Sequence, residues 1–130
     1  MIGLDTNIVV RFLMLDDPAQ SARAAQILEA LSEDEPGFVS VVVLAETVWV
    51  LDRFYRQNRA TIAEIVQGLL GADSLVLEHS AEVALALSAM RDQGADFTDA
   101  LIAAIAGSAG CIHTLTFDRR AARLPGFALA

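Results

Sequence analysis

Short apolar runs and longer segments of helical spacing take turns along the chain. Met1–Leu4 is an apolar run that ends at Asp5, and it predicts a first strand with the acid at its C-terminal end. Thr6–Leu15 predicts a short helix or turn. Asp17-Pro18 pairs a capping acid with proline at the first helical position. From there Ala22, Ala25, Ile27, Leu28 and Leu31 keep helical spacing to about Ser32. Ser32–Gly37 is a polar loop, and Phe38–Ser40 predicts a second strand or the lead into a helix. Val41, Val42 and Val43 favour strand, but the stretch to Tyr55 is too long for one, and Leu44-Ala45-Glu46 favours helix. The expectation is a helix capped by Ser40. It is apolar nearly all round and should be buried, with Glu46 as the only carboxylate in its interior.

The second half repeats the alternation. Thr61–Leu70 predicts an amphipathic helix stopped by Gly71, and Leu75–Leu77 a third strand. Ser80 should cap a helix running to about Asp92 and stopped by Gly94. Asp96 or Thr98 opens a very apolar helix to Ala109, ended by Gly110. Ile112–Thr116 predicts a fourth strand closing at Asp118, Arg119–Arg123 one helical turn, and Phe127–Leu129 a last edge strand. Strands alternating with helices predict an α/β protein with a parallel sheet and helices on both faces. Residues 1–130 are one domain's worth of chain, since domains usually run ~100–150 residues. Ligands of such sheets bind beyond the strands' C-terminal ends, where Asp5 and Asp118 fall.

Composition removes whole classes of function. With 55% hydrophobic and 20% charged residues, a disordered protein is excluded. A net charge of −8 excludes a generic basic nucleic-acid coat. All nine cations are arginine, so mechanisms that need a lysine ammonium, such as the P-loop, Schiff-base chemistry and receiver phosphorylation, are out. One cysteine, Cys111, allows neither an internal disulfide nor a cysteine-rich zinc site, and a small core residue is expected there. No targeting segment is visible, and the longest apolar stretch, Phe38–Leu51, is broken by Ser40, Glu46 and Thr47. A cytoplasmic protein with no membrane association is expected.

Of the seventeen acids, most lie in polar company, where a solvated face or a helix cap accounts for them. Five do not. Asp5 follows an apolar strand, Glu46 interrupts an apolar helix, Asp96 and Asp99 bracket the start of the helix Ala100–Ala106, and Asp118 ends a strand. A lone buried carboxylate costs several kcal/mol, so each such group must be paired, hydrogen-bonded, protonated or metal-bound. No arginine lies within the apolar segments that hold Glu46 and Asp99. Capping could account for Asp96, at a helix start that favours anions; it does not explain Glu46. Clustered carboxylates in a soluble protein commonly hold a hard divalent cation.

Asp5-Thr6-Asn7 after the first strand, Glu46 in an apolar helix, the run from Ala95 to Ala104 (ADFTDALIAA) and Thr116-Phe117-Asp118 resemble the PIN domain, and within it the VapC toxins of bacterial toxin–antitoxin pairs. The resemblance spans essentially the whole chain. It implies a three-layer α/β/α sandwich around a mainly parallel sheet of four to five strands. It implies a metal-dependent endoribonuclease that uses Mg²⁺, or Mn²⁺, to activate water against RNA phosphodiesters, is a homodimer, and is inhibited by a cognate VapB-like antitoxin. By the same resemblance Asp5, Glu46, Asp99 and Asp118 are the catalytic, metal-binding acids, with Asp96, Asn7 and Thr116 in support.

Arg53, Arg56 and Arg59 close the Glu46 helix, and Arg119, Arg120 and Arg123 follow Asp118. They are phosphate contacts for an RNA backbone or ordinary solvated cations. Trp49, Phe38 and Phe54 are expected in the core or at an interface rather than on RNA, and His79 and His113 in structural roles. A dehalogenase-type phosphatase would need a second acid where Asn7 stands, and a lysine. The surviving alternative is a non-catalytic PIN-like module that binds RNA or protein.

Overall fold

All 130 residues are described in a computed structural model. β1 (Ile2–Gly3) leads into α1 (Thr6–Met14) and α2 (Pro18–Glu29); β2 (Gly37–Val39) leads into α3 (Val41–Arg53) and α4 (Arg59–Gly71), followed by β3 (Leu75–Leu77). These elements form one compact unit, Met1–Glu78. Its strands run parallel in the order β1-β2-β3, with Gly3 opposite Phe38 and Val39 opposite Leu77. The middle strand begins at a glycine for a packing reason. A Cβ on Gly37 would stand 2.8 Å from Leu31 Cδ1 and 2.9 Å from Leu4 Cδ1, so a side chain there must displace two leucine methyls.

The helix starts follow their local signals. Asp17 accepts the Gln20 N–H at 3.1 Å with Pro18 behind it, Ser40 Oγ accepts the Val43 N–H at 3.2 Å, and Asn58 Oδ1 accepts the Thr61 N–H at 2.8 Å. Glu78 adds a tertiary cap, its Oε1 taking the Val41 N–H at 3.0 Å. Leu44, Val48 and Leu51 of α3 face inward with Ile62 and Val66 of α4, Val39 and Leu77.

α3 is not buried all round. Val42, Glu46 and Trp49 form an exposed stripe, and Phe54 beyond the helix end is 75% exposed. A helix at the edge of its unit needs only one covered stripe, and here valine and tryptophan occupy part of the open face.

The second compact unit, His79–Ala130, holds α5 (Ser80–Gln93), α6 (Phe97–Ser108), β4 (Thr114–Thr116), a one-turn 3₁₀ helix (Ala121–Arg123) and β5 (Phe127–Leu129). β4 and β5 pair in parallel, Thr114 opposite Phe127. α5 and α6 share a core of Val83, Ala86, Leu87, Met90, Phe97, Ala100 and Leu101. His79, not Ser80, stands before α5: it takes the left-handed conformation (φ 54°), so Ser80 is already helical and does not cap. Gly126 (φ +90°) turns the chain into β5 where a Cβ would lie 3.2 Å from Ala103 Cβ. Cys111 is exposed, against the expectation of a core position, because the chain between α6 and β4 lies on the surface.

The α/β class and the parallel strands are as expected. The five strands hydrogen-bond as a set of three and a set of two, rather than as a single ladder of four or five. No helix is long and apolar enough to cross a membrane.

Candidate functional site

Asp5 occupies the N-cap position of α1, in extended conformation. Its carbonyl accepts the Ile8 and Val9 N–H groups, yet its carboxylate makes no cap bond. An exposed carboxylate is thus left uncommitted at a helix N-terminus, where backbone N–H groups and the macrodipole favour negative charge. Asn7 is exposed in the first turn of the same helix. The parallel register of β1 and β2 sets Asp5 level with Ser40, since both lie two residues past the paired Gly3 and Phe38. Glu46 stands on α3 six residues further on. Within the N-terminal unit, two carboxylate-bearing helices therefore leave adjacent strands at their C-terminal ends.

In the C-terminal unit the acids meet electrostatically. Asp96 is the N-cap of α6, and its Oδ1 accepts the Asp99 N–H at 3.0 Å. Asp99 is half-buried in the first turn. Burial raises its carboxyl above the ordinary value, and the negative charges of Asp96 and Asp118 raise it further. No cation counts among the causes. Asp118 is exposed and partly engaged: its Oδ1 accepts the Arg120 N–H at 2.8 Å and the Ala121 N–H at 3.3 Å, which opens the 3₁₀ turn. Thr116 Oγ1 accepts the Asp118 N–H at 3.0 Å, so the threonine supports this acid through its backbone. Arg119 and Arg120 are exposed beside it; of the three arginines expected to close the Glu46 helix only Arg53 ends α3, while Arg56 lies in the connection that follows and Arg59 begins α4, because the helix stops at Arg53.

The profile of the PIN domain matches residues 2–126. The chain belongs to the PIN domain family. PIN domains have an α/β/α fold and are typically metal-dependent nucleases, so this chain carries the frame of a nuclease module. No curated protein matches the chain.

PIN domains generally use divalent metals, and the donor chemistry here fits one. Every candidate ligand is a carboxylate oxygen, the set that hard divalent cations take. No group of three or more histidine, cysteine, aspartate or glutamate side chains is drawn together as a metal-holding set. Carboxylates without a cation repel, and at Asp99 that repulsion, from Asp96 and Asp118, adds to the rise that burial causes.

Two features went unseen in the sequence. Trp49 and Phe54 stand in solvent on and just beyond α3, although large aromatics are usually mostly buried. Arg11 donates from Nη1 to Asp16 at 3.0 Å and to Tyr55 Oη at 3.1 Å, while Tyr55 donates to Asp16 at 2.6 Å. This triangle ties the end of α1 to the segment after α3. No sequence signal points to it, because its members are up to 44 residues apart.

Proposed function

We propose that the protein is a metal-dependent endoribonuclease of the VapC toxin type that hydrolyses RNA phosphodiester bonds and is held inactive by a cognate antitoxin. Asp99 carries the reading. An acid at the head of an apolar helix, raised first by its own burial and further by the charges of Asp96 and Asp118, is a poor structural residue and a good cation ligand. The PIN domain match over residues 2–126 supports the assignment of Asp5, Glu46, Asp99 and Asp118 as the metal-holding acids.

A bound Mg²⁺ or Mn²⁺ supplies a lowered pKa for water and a positive charge for the phosphoryl group. The chain's own residues do the rest. Asp5, Glu46, Asp99 and Asp118 would hold the ion; the Asp5 carboxylate makes no cap bond, and that of Asp118 accepts the Arg120 N–H through Oδ1. Asp96 holds the first turn of α6, and with it the Asp99 backbone, in place. Asn7 and Thr116 are supporting residues, and Arg53, Arg56, Arg119 and Arg120 guide the RNA phosphates. In the N-terminal unit an apolar groove of about 400 Å³, lined by Leu4, Val9, Phe12, Leu13, Leu28 and Leu69, offers a seat for apolar side chains of the antitoxin. Exposed Leu85 and Ile102 offer apolar surface for a second copy in a homodimer.

The test is RNA cleavage by the purified protein in Mg²⁺, Mn²⁺ and chelator. Cleavage in either metal and none in chelator is expected. Asp5→Asn and Asp99→Asn should each lose more than ~100-fold while remaining folded, a larger loss than supporting partners of a ligand commonly cause. Unchanged cleavage in either variant rejects the assignment. A protein that neither cleaves nor gains thermal stability from Mn²⁺ is instead a non-catalytic PIN-like binding module.

A further inference from the structure

We infer that the triangle of Arg11, Asp16 and Tyr55 sets the angle between α1 and α3, and so the spacing of the Asp5 and Glu46 carboxylates that these helices carry, which makes Tyr55 a positioning residue for the metal-holding acids; this deepens the nuclease reading above and rests on it. α1 and α3 pack against each other within the N-terminal unit. Both bury aliphatic side chains, Val9 and Val10 on α1 and Leu44, Val48 and Leu51 on α3. Apolar burial has no direction, and helix pairs of one packing type scatter by ~15–20° in crossing angle. Hydrogen bonds add fixed lengths and angles. Arg11 Nη1 donates to Asp16 Oδ1 and to Tyr55 Oη, and Tyr55 Oη donates to Asp16 Oδ2. Arg11 Nε donates to Gln20 at 2.7 Å, and Ser21 Oγ donates to the Arg11 carbonyl at 2.8 Å. One arginine thus joins the last turn of α1, the first turns of α2 and the segment after α3. Arg11 stands about 9 Å along α1 from Asp5, and α3 ends about 10 Å past Glu46, at ~1.5 Å per residue. A swing of ~5° at the triangle therefore moves either acid by about 0.9 Å, and a misplacement of ~1 Å is enough to cripple a catalytic site.

The backbone on either side is bent to deliver these groups. Leu15, immediately before Asp16, closes α1 in the left-handed region (φ 55°), and Arg56, immediately after Tyr55, takes the same conformation beyond α3 (φ 52°). The Leu15 N–H donates to the Arg11 carbonyl and the Gln57 N–H to the Leu51 carbonyl, the bonding of helix C-terminal caps where glycine is usual. A side chain strains this conformation, and such residues persist only where their surroundings over-determine them. The Leu15 and Arg56 side chains are both exposed, so their own packing does not hold them. The bonds of Asp16 and Tyr55, one residue away in each case, do. A lone exposed Arg–Asp pair would contribute little. Three groups bonded in a ring restrain one another, and this ring closes across two strained turns.

Two readouts test this on the full chain: Mn²⁺ titrated calorimetrically into the protein, and RNA cleavage followed against RNA concentration at saturating Mn²⁺. Both are made on wild type, Tyr55→Phe, Asp16→Ala, the double variant and Asn58→Ala. Asn58→Ala is the stability control: it removes one exposed cap bond, to the Thr61 N–H, from a helix that carries none of the metal-holding acids. Tyr55→Phe and Asp16→Ala should each weaken Mn²⁺ binding roughly 10-fold, the low end of what outer partners of metal ligands contribute, and lower kcat by a similar factor with KM for RNA nearly unchanged. The double variant should be no worse than the worse single one, because both act through one triangle. Asn58→Ala should bind and cleave as wild type does. Wild-type Mn²⁺ affinity and kcat in Tyr55→Phe overturn the inference and leave the nuclease reading standing. A Tyr55→Phe defect that Asn58→Ala matches is loss of stability alone and overturns it as well. A wild type that neither binds Mn²⁺ nor cleaves RNA refutes the nuclease reading, and the positioning role with it.

Discussion

Asp96 separates two roles that one carboxylate can play, and substitution pulls them apart. As the N-cap of α6 it accepts a single N–H bond from Asp99 at 3.0 Å, on an exposed residue. Removing such a cap with Asp96→Ala should cost ~1 kcal/mol, within the ~0.5–2 kcal/mol seen for lost caps. For a chain of 130 residues that is a fall in Tm of about 4 °C. Asp96→Asn keeps an acceptor of equal capping strength and removes only the charge. The change forfeits ~0.3–1 kcal/mol of favourable interaction with the helix dipole. It also relieves the repulsion that raises the Asp99 carboxyl, so the two changes oppose each other. The asparagine variant should therefore stay within ~0.5 kcal/mol of wild type. In both variants the Asp99 carboxyl should titrate lower than in wild type, because one of the like charges that raises it is gone. Thermal unfolding reads the first effect, and carboxyl chemical shifts against pH read the second. If Asp96→Asn unfolds as early as Asp96→Ala, the capping account is wrong. If Asp99 titrates unchanged in both, the electrostatic account is wrong.

Three other outcomes follow from packing and titration. The Tyr55 hydroxyl bond holds the Asp16 carboxyl below its ordinary value, and the same bond raises the Tyr55 hydroxyl. Asp16 therefore contributes stability that is present above its unfolded pKa of ~3.9 and lost as pH falls through its lowered folded value, while Tyr55 contributes below ~10 and loses it as pH rises through its raised value. In Tyr55→Phe the fall of Tm should flatten at both ends of the pH range, and an unchanged profile would count against the triangle. Leu51 is fully buried on α3 at 0% exposure, so Leu51→Ala should cost ~2–5 kcal/mol in denaturant unfolding. Gly126→Ala places a Cβ at φ +90° and 3.2 Å from Ala103 Cβ, and should cost about 1–3 kcal/mol by the same measurement; a neutral result would mean the turn relaxes freely.

Local chemistry made much of this protein legible before any fold was known. Asp17-Pro18, Ser40 and Asp96 start helices because a short polar side chain meets free N–H groups next to it in sequence, and nothing distant has to agree. Short apolar runs between such helices dictate parallel strands, since a helix carries the chain back to the same edge. The odd acids also stood out by local contrast, each set in or against an apolar segment. Ser80 shows the limit: it has capping chemistry, yet the chain enters α5 through a left-handed His79 and leaves the serine one position too late.

What lies on a surface was decided by tertiary structure alone. The apolar residues of α3 read as burial on every side, but a helix covers only the stripe its neighbours reach, so Val42 and Trp49 stay in water. The pressure on Asp99 needs Asp118, nineteen residues away, and the triangle of Arg11, Asp16 and Tyr55 needs contacts across up to 44 residues. Sequence spacing carries the type and order of charged groups because these are covalent facts. Exposure and charge coupling depend on which distant segments fill the space around each group, and only the folded chain determines that.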